Sequence, residues 1–171
     1  MSAIKTFFRN IHRYLFLALI VSALLVWVYY LATDPPAKKK VVVYIDAPAV
    51  SERAMEDALE RELPDGIKAV RVHTFLYDIM GSGFPSEADI LIITREDIEG
   101  CLDRLLQIEN APEGAFLKDG TAYGIPWSSA GGYFETADTY EYFICFSKSS
   151  LHTGKADGAA YEVARRIIEL G

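Results

Sequence analysis

The sequence predicts a single α/β domain, its sheet mainly parallel but mixed and flanked by helices, carried behind one N-terminal transmembrane helix. Three observations lead there. Tyr14 to Thr33 runs twenty positions without a charge. From Val41 to Leu106, short β-branched runs alternate with amphipathic helical segments. From Lys118 onward a hairpin signal and aromatic-rich strands replace that alternation.

At 1.5 Å per residue, a twenty-residue helix is about 30 Å long, the thickness of a bilayer's hydrocarbon core. A cleaved signal peptide would have a shorter apolar run and small residues at its end. Here the run ends in Trp27, Tyr29 and Tyr30, rings that prefer the membrane–water interface. The expectation is a retained anchor, with residues 1–13 before the span, 14–33 in it, 34–40 as a stalk and 41–171 as the domain. Lys5, Arg9 and Arg13 precede the span while Lys38, Lys39 and Lys40 follow it. Charge bias alone therefore leaves orientation nearly undecided.

Val41-Val42-Val43-Tyr44-Ile45 is a strand of the kind buried on both faces. Ser51 can cap the helix that follows, with Ala54, Met55, Ala58, Leu59 and Leu63 at helical spacing, before Pro64-Asp65-Gly66 ends it. Ile67 to Phe75 reads as a second strand and Ala88 to Ile93 as a third. Thr94, with Asp97 three residues on, starts a further helix carrying Ile98, Leu102, Leu105 and Leu106. Gly81 to Pro85 is a loop. Lys118-Asp119-Gly120-Thr121 is a strong hairpin turn. It leads into Ala122 to Trp127, a Ser/Gly loop over 128–132, a strand at Tyr140 to Phe146 and a final helix from Ala156 to Leu170.

The domain from Val41 to Gly171 holds 11 Lys and Arg against 23 Asp and Glu, a formal charge of −12. That balance argues against nucleic acid or any polyanion as a partner. The two cysteines, Cys101 and Cys145, read as small buried hydrophobes rather than a disulfide framework or metal site.

Groupings that carry catalytic chemistry are missing. His12, His73 and His152 are scattered, and no zinc, Ca²⁺, P-loop or nucleophile-elbow pattern occurs. The pairs Asp57/Glu60 and Glu96/Asp97 read as solvated helix faces or partners of the helix dipole. A hydrolase would need Ser129 or Asp46 as nucleophile, with no recognisable base. The expectation is no enzyme, no catalytic residue, no metal and no cofactor. The aromatics Tyr123, Trp127, Tyr133, Phe134, Tyr140, Tyr142, Phe143 and Phe146 rise above background. Most read as core. Trp127, after a proline and before the Ser/Gly loop, could instead offer a stacking surface at a loop mouth.

Lys40 to Tyr44, Ala88 to Thr94 and Thr121-Ala122-Tyr123-Gly124-Ile125-Pro126-Trp127 resemble segments in the first lobe of the extracellular solute-binding proteins of ABC importers. Phe143 to Ser150 is similar to the strand that follows in that family, and Ala159 to Leu170 to a helix packing back on the lobe. The resemblance implies a periplasmic-binding-protein-like lobe outside the cytoplasm, with the N-terminus inside. Members of that family close two lobes on a ligand, whereas this chain has room for one. In open α/β sheets ligands sit beyond the carboxyl ends of the strands. Those positions are Asp46, Tyr77 and Thr94, and with Trp127 they form the candidate ligand site. Asp46 as a turn residue and Thr94 as a helix cap are the competing assignments. The expected partners are the bilayer, through Tyr14–Thr33, and a small-molecule solute or a membrane protein complex. The alternative to a recognition module is a docking subunit with a degenerate lobe.

Overall fold

The computed structural model describes residues 2–47, 49–74, 85–127, 132–133, 141–154 and 158–170. The chain divides into two compact units, Met1–Pro35 and Pro36–Gly171.

The first unit is helix α1, Ser2–Thr33. Its described side chains from 13 to 29 are all exposed, among them Phe16 at 67%, Leu19 at 67% and Tyr29 at 69%. Among the described residues no helix is long and apolar enough to cross a membrane. In α1 the side chains of residues 30–32 lie outside the described ones, and Thr33, the last residue of the uncharged run, is exposed with its hydroxyl donating to Tyr29 O at 2.8 Å.

The second unit is built on strands β1 (Lys40–Ile45), β2 (Ala69–Thr74), β3 (Ile90–Thr94), β4 (Phe116–Lys118), β5 (Thr121–Trp127) and β6 (Tyr142–Phe146). They form one six-stranded sheet in the order β2-β1-β3-β6-β5-β4. β1 pairs in parallel with β2 and β3, and the remaining pairings are antiparallel. The sheet is therefore mixed, with three of its five pairings antiparallel, rather than mainly parallel. The expectation overshot because β6, although buried on both faces like a parallel strand, enters beside β3 in the opposite direction.

Strand alternation divides the core. Helices α2 (Glu52–Leu59) and α4 (Ala159–Leu170) supply Met55, Leu59, Ala160, Val163 and Ile167 to one cluster, against Val43, Ile45, Ile92, Ile144 and Phe146. Helix α3 (Arg95–Cys101) supplies Ile98 and Cys101 to the other, against Leu91, Ile93, Phe143, Cys145 and Phe116. Every β6 residue is buried, Tyr142, Ile144 and Phe146 on one side and Phe143 and Cys145 on the other. On the α3 face the packing is so close at Gly124 that a Cβ there would lie 2.9 Å from Phe143 Cβ and 3.2 Å from both Cys145 Sγ and Ile98 Cδ1. Only glycine fits without backbone movement.

Three local expectations change. Ser51 precedes α2 but its side chain makes no cap; its amide instead donates to Tyr133 O at 2.7 Å. The buried stripe of α2 is Met55 and Leu59, with Ala54 exposed, because the helix meets the sheet along one narrow line. Helix α3 ends at Cys101 and a 3₁₀ turn at Leu102–Arg104 follows. Leu105 and Leu106 are then extended beside the end of β6, with Leu106 N–H on Phe146 O at 2.8 Å, and enter opposite clusters. The β4–β5 turn matches its prediction: Asp119 and Gly120 have φ of 51° and 79°, the left-handed pair that a two-residue hairpin demands. The stalk's second half belongs to the domain, since Ala37–Lys39 forms a 3₁₀ turn and Lys39 O accepts from Lys68 N.

Burial pushes the Cys101 thiol from its ordinary 9.0 up to about 12, helped by the Asp97 and Asp103 carboxylates and opposed by Arg104. Cys145, deeper still, is raised too, by burial first. As pH rises past 9 the unfolded thiol ionises while the folded one keeps its proton, so the folded state loses stability between the two values. Melting between about pH 9 and 11 should therefore show a falling Tm whose slope is shallower in Cys101→Ala. Equal slopes in the two proteins would contradict this assignment.

Candidate functional site

The carboxyl ends of β1, β2 and β3 lie along one rim of the sheet, joined there by the start of β6 and the end of β5. Thr94 pairs with Tyr142, and Tyr142 with Trp127. Two strand spacings of about 4.8 Å put Thr94 and Trp127 about 10 Å apart along that rim. Asp46 joins them from β1, its amide donating to Ile92 O at 2.9 Å. Tyr77 lies outside the described residues, as do Ser129 and most of the Ser/Gly loop.

The rim gathers Asp46, Thr94 and Trp127 but does not aim them at a common point. Thr94 and Trp127 share the alternation of Ile92, on the face covered by α2 and α4. Asp46 follows the alternation of Val42 and Tyr44, so it falls on the other face.

Each side chain also has local work. Thr94 is the N-cap of α3, accepting from Asp97 N while its hydroxyl donates to the Asp97 carboxylate. That is the cap the sequence suggested, with the side-chain half of the box made to the hydroxyl. Trp127 is half-buried against the first cluster, and its indole N–H donates to Ile167 O at 3.3 Å in the last turn of α4. The ring is thereby tied to a helix that the fold returns to this rim, which no local pattern announces, while the loop after it, residues 128–131, lies outside the described residues. Beside the rim, Arg95 pairs with Glu141 at 2.9 Å and stacks over the Phe143 ring at 5.3 Å.

The opposite end of the strands holds a cleft of about 250 Å³, lined by Ala37, Lys40, Val42, Ser86, Glu87, Asp89, Ser149 and Leu151. Its floor is a polar network centred on Asp89, only 5% exposed. Asp89 Oδ2 accepts from Val42 N at 2.9 Å and Oδ1 from the Ser150 hydroxyl at 2.6 Å. The His152 amide donates to Ser150 Oγ, and its ring Nε2 lies 3.0 Å from Ala37 O. Ser149 donates to Ser86 O and shares a hydrogen bond with Ser147. The Ser150 hydroxyl thus meets Asp89 directly, and the Nε2 of His152 faces a backbone carbonyl. Glu87, one of the lining residues, accepts from the Tyr44 hydroxyl at 3.0 Å; burial first, and then Glu87, pushes that phenol up to about 12. Among the described residues no cluster of His, Cys, Asp and Glu could hold a metal ion.

Sequence reasoning missed two groups. Asp89 read as part of an apolar strand; the sign that it differs is a carboxylate placed just before four buried aliphatic residues. Glu60 read only as part of a solvated face or a partner of the helix dipole, and Glu52 and Glu56 drew no reading, although the strict four-residue spacing of the three marks one helix face. All three bind backbone amides of β2.

Comparison with protein-family models, with curated proteins and with solved structures finds no match to this chain.

Removing the Asp89 carboxyl leaves the Val42 amide buried and unpaired, at a cost of about 1–3 kcal/mol. Asp89→Ala should lower stability by about 3 kcal/mol in denaturant titration, and Asp89→Asn, which keeps an acceptor, by roughly half of that. Equal losses in the two variants would show that the acceptor to Val42 is not what matters.

Proposed function

We propose that this protein is a membrane-anchored, extracytoplasmic recognition or accessory module, non-catalytic, whose domain resembles one lobe of an ABC-importer solute-binding protein. The observation that carries the proposal is α1. A helix in water buries one stripe and exposes polar residues elsewhere. The described side chains of Tyr14–Tyr29 are apolar or aromatic except Ser22, and all are exposed. A surface of that kind on every side has lipid as its natural solvent. The uncharged run to Thr33 supplies the length.

The solute-binding resemblance is supported more modestly. The segments that carry it form β1, β3, β5 and β6, the four strands that lie between the edge strands β2 and β4. The rim that would meet a ligand is the one bearing Asp46, Thr94 and Trp127. A second reading, a docking subunit of a membrane complex without a small-molecule ligand, is favoured by one specific observation. Thr94 and Trp127 are both engaged in holding helices, the first capping α3 and the second hydrogen-bonded to α4.

Two measurements on the full-length chain test the proposal. Membranes washed with alkaline carbonate should retain the chain, and placing arginine at both Leu19 and Leu24 should release it, since each charge at mid-bilayer costs about 3 kcal/mol. Release of the unaltered chain would refute the anchor. Thermal melting in detergent across sugars, amino acids and short peptides then separates the two readings. A saturable rise in Tm that Asp46→Ala abolishes supports solute recognition. A flat response, together with in-membrane crosslinks to a second protein, supports the docking subunit.

A further inference from the structure

Strand β2 ends the sheet on one side. An edge strand presents outward amides and carbonyls that can pair with another chain. Here those amides belong to Val70, Val72 and Thr74, and each is taken by a glutamate from the α2 segment. Thr74 N donates to Glu52 at 2.6 Å, Val72 N to Glu56 at 2.9 Å and Val70 N to Glu60 at 3.2 Å. The Thr74 hydroxyl adds a second bond to Glu52, and Arg71 bridges Glu60 to Val70 O.

Geometry makes the match possible. Four residues of helix rise about 6.0 Å, while two residues of strand rise about 6.6 Å. A helix running antiparallel to the strand therefore meets every outward amide with every fourth side chain. The opposite edge, β4, has only three residues and carries Lys118, a short charged edge of the kind that discourages pairing without help.

We infer that the Glu52–Glu56–Glu60 ladder is an edge guard that keeps β2 from pairing with β2 of a second copy of this chain. Two copies related by a two-fold axis would set their β2 strands antiparallel, each supplying the same outward groups to the other. The ladder occupies the donors of that pairing, so α2 must let go of the edge before two sheets can join.

The test uses the full-length chain in detergent micelles, with protein mass from light scattering and hydrogen exchange at Val70, Val72 and Thr74. In Glu52→Ala/Glu56→Ala/Glu60→Ala the three amides should exchange at least about tenfold faster at low concentration. The protein mass should then double as concentration rises, with the same amides regaining protection in the dimer. The triple glutamine variant, which keeps an acceptor at each rung, should retain the mass of the parent chain. A triple alanine protein with open amides and an unchanged mass overturns the inference, as does a dimer whose β2 amides stay exposed. Should the triple variant not fold, Glu56→Ala opens the central rung alone, and the same two readouts decide.

Discussion

A carboxyl group withdrawn from water has to recover its hydrogen bonds inside the fold, and Asp89 recovers them from two distant segments. Its side chain joins the Val42 amide of β1 to the Ser150 hydroxyl beyond β6. Its backbone does the same, donating to Val42 O and accepting from Ser147 N. Asp89 thus stands where the sheet changes from parallel pairing on the β1 side to antiparallel pairing on the β6 side. The register on both sides of β3 starts from this residue. His152 extends the network to Ala37, which ties the first residues of the domain to its last loop and helix.

From that junction outward the architecture follows from burial. β3 and β6 are covered on both faces, so their residues are apolar regardless of alternation. Helices are required on either side, and Gly124 records how tightly α3 packs on one of them. At the margins the demands reverse. A strand with one unpaired side has amides to satisfy, and the acidic face of α2 answers them. The excess negative charge of the domain is thereby partly structural, since three of its glutamates complete hydrogen bonds that a neighbouring strand would otherwise make.

Much of this was legible from residues alone. The β-branched run of β1, the aliphatic run of β3 and the Asp119–Gly120 turn announce themselves, because they rest on local preferences of backbone and side chain. The Thr94 cap was legible for the same reason. The direction of β6 was not, since a strand buried on both faces has the same composition whichever way it runs. The engagement of Trp127 with Ile167 was hidden because the residues lie forty positions apart and neither carries a marker of the other. The glutamate ladder was half visible. Its spacing was in the sequence, but its meaning required knowing that β2 ends the sheet.

The account as a whole depends on where the domain resides. From Tyr14 to Tyr29 the side chains of α1 are apolar or aromatic except Ser22 and all are exposed, and the proposed solute-recognition reading requires the domain to lie outside the cytoplasm. The most direct test is a pair of C-terminal fusions to Gly171 in living cells, one reporter active only outside the cytoplasm and the other only within it. The account predicts activity from the external reporter alone. Activity from the internal reporter alone would contradict it, removing the basis for solute recognition and directing attention to cytoplasmic partners.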